Sequence, residues 1–396
     1  MTHQIIKAGR LIDGTGRGPL LNQKIVIADG RVKSISPWKE ENLPASFLDL
    51  SAATLLPGFI DTHLHITLDP ANPDDYYDPQ QDPIEITLRA IGNAQAALRA
   101  GVTTLGDCGA ENRIIFPVRE AIEQRQVIGP RVMASGAALA PAGGHGAEKV
   151  GKIASGVEGV RAAVREQVEA GADFIKVMAT SGGGENPGES HYSVAELTAL
   201  REEAARHGLI VAAHAHGTQG IRDCVEAGIQ RIEHCTFYNG ESGFNFDLQA
   251  AQSIADQGII VSPTNVIDFR RIEKGGQGAP RAELNKIWRN LLAHGVTFAA
   301  SSDAGVTDML YDDYALIPEL MVSELGMSPM DAILSCTRNA ATALGLQGEL
   351  GTLEVGKLAD LVVLSGNPLE DITAMRSVRR VIRSGKTLYH QDLQDD

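Results

Sequence analysis

The chain has 396 residues, 43% of them hydrophobic and 21% charged, with a formal net charge of −15. That is the balance of an ordinary globular protein with room for a barrel of about 250 to 300 residues and a smaller second unit. The acidic balance disfavours nucleic acid or an anionic membrane as partner, and no window reaches the ~18 apolar residues of a membrane span.

Residues 1–56 read as short strands. Gln4 to Leu11 and Lys24 to Ala28 are apolar and β-branched, and Asp29-Gly30 between Ile27 and Val32 is a hairpin signal. No basic region precedes a long apolar stretch, and the four cysteines are scattered without a C-x-x-C pair. A reduced protein of the cytoplasm is expected.

From residue 57 a different grammar begins. A glycine stands before an apolar run at Gly101, Gly171, Gly208, Gly228, Gly258 and Gly295, each after a helical pattern, with Gly129-Pro130 as a variant. Glycine past a helix end is the common left-handed cap. With Gly58 to Ile66 this predicts eight strands alternating with helices, a (β/α)₈ TIM barrel over 57–352. Ser193 with Glu196 predicts a capping box, and Ser328-Pro329 opens a helix that Gly345 can close. Residues 353–396 return to short strands. A small β-sandwich domain formed from both termini, 1–56 and 353–396, is therefore expected beside the barrel.

Barrels of this kind carry their chemistry at the C-terminal ends of the strands. The first strand offers His63 and His65, two residues apart and so on one face. The fourth carries Lys176, the fifth ends in His214, the sixth in His234 and the eighth in Asp303. Two imidazoles aimed into one space are what a metal ion requires. A buried lysine needs a partner or neutralisation. Lys176 can be a Schiff-base nucleophile, an ion-pair partner of Asp303, or, carboxylated by CO₂, an anionic bridge between two metals. The four histidines favour the last.

The motifs Gly58-Phe59-Ile60-Asp61-Thr62-His63-Leu64-His65, Phe174-Ile175-Lys176, Ala213-His214-Ala215-His216-Gly217, Ile232-Glu233-His234, Ser302-Asp303-Ala304-Gly305 and Gly351 to Val362 resemble the amidohydrolase superfamily. The likeness is to its binuclear-metal branch, in the imidazolonepropionase-like group of Xaa-Pro dipeptidases, arginine carboxypeptidases and ochratoxin-type amidases, and it covers almost the whole chain. It implies two divalent metal ions, with zinc expected. His63, His65 and Asp303 would hold the more buried one and His214 and His234 the other, with carboxylated Lys176 between them. A hydroxide bridging metals roughly 3.5–4 Å apart would attack a C–N amide bond, with Asp303 shuttling its proton to the leaving nitrogen. His216, which shares a face with His214, would touch substrate or intermediate or act behind the ligands.

His145, in the glycine-rich loop after the third strand, and Tyr238, after the sixth, are expected to contact substrate. The stretch Asn239 to Phe246 departs from the dipeptidase pattern, and the loop Ser181 to Tyr192 is a candidate lid. His207 and His294 precede helix-ending glycines and are assigned to the helix C-termini. The expected substrate is a dipeptide or an N-acyl amino acid. The alternatives are a non-peptide amide, carbamate, urea or cyclic amide, a Schiff-base lyase, or a non-catalytic scaffold on the same fold. A homo-oligomer acting on a small molecule is expected.

Overall fold

A computed structural model describes residues 3–39, 47–72, 81–147, 151–182, 187–266, 280–306 and 308–391. Strands from both ends of the chain pair with one another. Leu20–Ala28 and Arg31–Pro37 form the expected hairpin, and Asp29 and Gly30 both take positive φ, as the tight turn demands. His3–Leu11 runs antiparallel to Leu20–Ala28 and parallel to Leu48–Pro57. Leu48–Pro57 in turn pairs with Leu361–Leu364 from the other end of the chain. Val378–Arg383 and Lys386–His390 complete a seven-stranded sheet over a core that includes Ile6, Ile25, Leu55, Leu361 and Ile382. The small β domain expected from both termini is present, its strands joined in one continuous sheet because Leu48–Pro57 is paired along both edges.

The parallel strands between these ends form the TIM barrel. Phe59–Leu64, Val102–Asp107 and Arg131–Ala134 make one parallel set. Ala138–Ala140, Ile175–Met178, Val211–Ala215, Arg231–His234, Ile260–Ser262 and Thr297–Phe298 follow in a second. The third strand joins the sets by breaking at Ser135 to Ala137: Arg131–Ala134 pairs backward, while Leu139 pairs forward with Val177. On the far side the Thr62 amide donates to Ala300 O (3.1 Å), the Asp303 amide to His63 O (2.8 Å) and the His65 amide to Ala304 O (2.8 Å). Those three bonds close the ring and set the first and eighth strand ends side by side.

The glycines that punctuate the sequence at 101, 171, 208, 228, 258 and 295 take φ between 66° and 99°. Ser193 forms the capping box with Glu196 at the head of Val194–Arg206. One expected helix divides in two. Pro329–Ser335 starts after Ser328 as read from sequence, but the chain breaks at Thr337 (φ −130°, ψ −92°) and Arg338–Ala343 is a separate helix that Gly345 follows. The cause is tertiary. Ser335 O and Cys336 O accept from the barrel amides of Ala300 and Ile60, both at 2.9 Å, and are withdrawn from helical bonding. Among the described residues no helix is long and apolar enough to cross a membrane.

Candidate metal centre

Strand parity explains which side chains reach the mouth, and three backbone exceptions explain the rest. Asp61, His63 and His65 alternate along one face of the first strand. Arg231 and Glu233 do the same on the sixth, which would send His234 to the opposite face. His234 instead takes φ 64°, and with this left-handed turn its ring lies beside His63 and His214. Asp303 turns likewise at φ 56°. Gly305 follows at φ 103°, where a Cβ would stand 2.5 Å from His65 O, so only glycine lets the loop lie this close to the first strand. Left-handed backbone at non-glycine residues costs on the order of 1–3 kcal/mol each and gathers at functional sites.

His63, His65 and Asp303 form one group. Asp303 Oδ1 lies 3.3 Å from His63 Nε2 and 3.4 Å from His65 Nε2. The opposite ring nitrogens face acceptors: His63 Nδ1 is 3.0 Å from Glu233 Oε2, and His65 Nδ1 is 3.3 Å from the Gly109 carbonyl. Neutral imidazoles satisfying those acceptors carry the proton on Nδ1 and turn the Nε2 lone pair toward Asp303. Asp303 Oδ1 is buried with no aligned hydrogen-bond donor among the described residues. Two ligand atoms each 2.0–2.1 Å from one tetrahedral ion stand roughly 3.3 Å apart, so the group has the spacing and donor set that suit a divalent cation.

A second group joins His214, His216 and His234. His234 Nε2 is 3.0 Å from His214 Nδ1, and His214 Nε2 faces Ser181 O at 3.2 Å. His234 Nδ1 meets Thr264 Oγ1 at 2.8 Å, and His216 Nδ1 meets Thr236 Oγ1 at 3.0 Å. The His216 ring stacks on His234 at 4.5 Å between centroids. The groups adjoin, with His63 and His234 rings 5.3 Å apart. Lys176 is buried and its Nζ has no hydrogen-bond partner among the described residues. Its nearest carboxylate among the ion pairs is Glu233 Oε1 at 4.0 Å, where the sequence suggested Asp303. Its charge acts on His63 and Asp303 as well as on His214 and His234.

The electrostatics keep most ligand-type groups deprotonated. Burial, followed by the neighbouring imidazoles, pushes His214 and His234 well below the ordinary histidine range and His216 down to about 3. Burial and then Lys176 lower His63. For His65 burial acts downward, but Asp303 outweighs it and the net shift is up. In the metal-free site burial pushes the Asp303 carboxyl up, yet His63 and His65, when they carry a proton on the side facing it, outweigh burial and hold it at about 2; a cation in that place would take over the same role from the proton.

Other residues singled out in the sequence fall at or near the mouth. The His145 ring stacks on His214 at 4.9 Å. Tyr238 packs on Phe244 at 5.0 Å, and its amide donates to His216 O at 3.1 Å. The stretch after it is ordered: Asn239 N bonds Gly243 O, Asn245 N bonds Phe237 O, and Thr218 Oγ1 donates to Asn245 O. Of the candidate lid, 183–186 lie outside the described residues; the His191 amide holds its far end to Ala179 O. His207 and His294 cap their helices as assigned. Glu233, Arg231 and Asp61 have no role assigned by the motif pattern. Glu233 joins His63 to Arg231, and Asp61 accepts from the Ser302 hydroxyl (2.5 Å) and amide (3.1 Å). The available signal was a charged residue at alternating positions of an otherwise apolar strand.

The amidohydrolase family model matches residues 54–388. Ochratoxinase of Aspergillus niger is 32% identical over 429 aligned positions, covering 96% of this chain and 86% of the relative. Its crystal structure superposes with a TM-score of 0.85 at 30% identity, over 98% of this chain and 96% of that one. A Xaa-Pro dipeptidase, solved with methionine in its active site, gives a TM-score of 0.87 at 28% identity, over 98% and 100% of the two chains. Imidazolonepropionase of Symbiobacterium thermophilum is 25% identical, over 91% of this chain and 90% of that one.

Proposed function

The chain belongs to the amidohydrolase family and is a hydrolase of carbon–nitrogen bonds, and we propose that it cleaves the amide of a dipeptide or an N-acyl amino acid at the strand-end mouth. The observation that carries this reading is the meeting of His63, His65 and Asp303 through atoms 3.3–3.4 Å apart, each histidine braced from behind by an acceptor. In the proposal these three hold one divalent ion and His214 and His234 hold a second. Lys176, carboxylated, lies between. Zinc suits this imidazole and carboxylate set. When bound, such ions lower the pKa of a water and polarise the scissile carbonyl.

The remaining work falls to side chains. Asp303, held at about 2, is ionised at neutral pH. Its Oδ1 faces the imidazoles, which leaves Oδ2 to take a proton from the attacking water and return it to the leaving nitrogen. His216, neutral because burial depresses it to about 3, is suited to donate or accept a hydrogen bond at the carbonyl side. His145 and Tyr238 orient the substrate, and Tyr238 bonds its carboxylate. Four buried, unpaired cysteines suit a reducing compartment such as the cytoplasm. A dipeptidase-like substrate is supported by the Xaa-Pro dipeptidase likeness, and an N-acyl amino acid by the ochratoxinase likeness.

The test is a panel of dipeptides, including Xaa-Pro, with N-acyl amino acids, ureas and carbamates, assayed on zinc-loaded protein. Turnover of the first two classes well above the others is expected. Cleavage of ureas or carbamates alone would overturn the substrate class.

A further inference from the structure

Beneath the histidines a charged chain runs through the barrel interior. Glu233 is fully buried, and its two carboxylate oxygens meet different partners. Oε2 lies 3.0 Å from His63 Nδ1, and Oε1 accepts from Arg231 Nε at 2.7 Å. Arg231 is equally buried and held from several directions. Its Nη1 donates to Ala343 O at 3.1 Å, its Nη2 reaches Cys108 Sγ at 3.6 Å, and its plane lies 4.8 Å over the Phe174 ring. Lys176 Nζ is 4.0 Å from Oε1, beyond a hydrogen bond. A buried ion pair of this kind gains little stability over apolar side chains of the same volume, so stability does not account for it.

We propose that Glu233, clamped by Arg231, is a positioning residue that fixes the tautomer of His63. The inference rests on the reading that His63, His65 and Asp303 hold a divalent ion, and it identifies what keeps His63 ready for one. Arg231 offers donors only, so Oε1 must accept. The ionised Oε2 also only accepts, so His63 Nδ1 must carry the ring proton. The Nε2 lone pair is then presented to the side where Asp303 lies. A guanidinium two contacts away, paired with Glu233 at 2.7 Å, keeps that carboxyl ionised and so decides through it which imidazole nitrogen is free, while its contacts to Ala343 O, Cys108 Sγ and the Phe174 ring hold it in place.

Glu233→Gln keeps the shape and reverses the logic. Arg231 still only donates, so the amide oxygen must stay opposite it. The amide nitrogen then points at His63 Nδ1, which is forced to accept, and the ring proton moves to Nε2. Zn²⁺ affinity by chelator competition should fall about 10–100-fold for one of two ions. Replacing Arg231 as well, in R231M/E233Q, frees the amide to flip and should recover most of that loss. A merely structural role predicts the opposite, a double variant at least as impaired as E233Q. Nitrogen-15 NMR of labelled histidine in the zinc-loaded wild type should show His63 protonated at Nδ1, and this reading needs no variant to fold. Wild-type affinity in E233Q, or His63 protonated at Nε2 in the wild type, would overturn the inference. A wild type that binds no zinc at all would instead overturn the metal reading beneath it.

Discussion

At the scale of single residues, Asp303 carries the most weight. Its carboxyl is held at about 2 by His63 and His65 against the effect of burial, and it is the aspartate at which the first and eighth strand ends meet. Asp303→Asn keeps an oxygen toward the histidines and removes the base. With metal content confirmed, kcat should fall by ~10²–10⁴; near wild-type turnover would assign the proton transfer to another group, with His216 the nearest candidate. Lys176→Ala should lose one of two ions and nearly all activity, with partial return on adding a small carboxylic acid that can stand where the carbamate stood. The histidines also set a pH dependence in metal-free protein. His214, His216 and His234 are depressed, so below the ordinary ~6.5 the unfolded chain binds protons that the fold refuses, and stability falls with pH. That loss continues down to about 3, where His216 itself titrates. Asp303 adds a further loss between about 4 and 2. Asp61, raised to about 7 by burial, and the raised Asp107 and His65 act the other way, against four lowered histidines once His63 is included, of which His214, His216 and His234 are shifted furthest. The urea midpoint of chelator-treated protein should therefore be lower at pH 5.5 than at pH 7.5, and an unchanged midpoint would contradict the depressed histidines. The ligand-type histidines were legible because strand parity and strand ends locate them. Glu233 and Arg231 were not, because a charge within a strand has no meaning until its cross-barrel partner is known.

At the scale of elements, the mouth depends on how the first and eighth strands are joined. Beside the backbone bonds, the Ser302 hydroxyl and amide both donate to the buried Asp61 carboxylate, directly behind His63 and Asp303. Ser302→Ala removes the shorter bond and leaves a buried acceptor short of a partner, at a cost of ~1–3 kcal/mol in unfolding free energy. Denaturant titration checks this, and a loss under 0.5 kcal/mol, the ordinary range of a substitution with no such role, would show that the backbone bonds alone close the ring. The alternation of helices and strands was legible because six helices are followed by a left-handed glycine, at 101, 171, 208, 228, 258 and 295; Asn112–Glu123 is the exception, its left-handed residue being Arg125 (φ 60°) and not the expected Gly129. The break at Cys336 and Thr337 was not. It is imposed by Ile60 and Ala300, residues far away in sequence that capture helical carbonyls once the barrel has formed. The same is true of the single ladder joining both termini, whose pairing of Leu48–Pro57 with Leu361–Leu364 has no local signature.

At the scale of the whole molecule, the terminal sheet is tied to the barrel by Arg131 with Asp360 (2.7 Å) and Arg383 with Glu123 (2.6 Å), on the side where the strands begin. The chemistry lies at the other side, where they end and where the first and eighth strands meet. Divalent ions held there would stabilise the fold by mass action, and a chelator should lower the melting temperature in a zinc-reversible way. The central claim is that the two histidine groups are a binuclear centre. The most direct measurement is elemental analysis of the purified protein, before and after loading with zinc and removal of excess. Two divalent ions per chain are expected, falling to one in Lys176→Ala. Protein that takes up no ion under either condition, yet still hydrolyses its amide substrate, would contradict it.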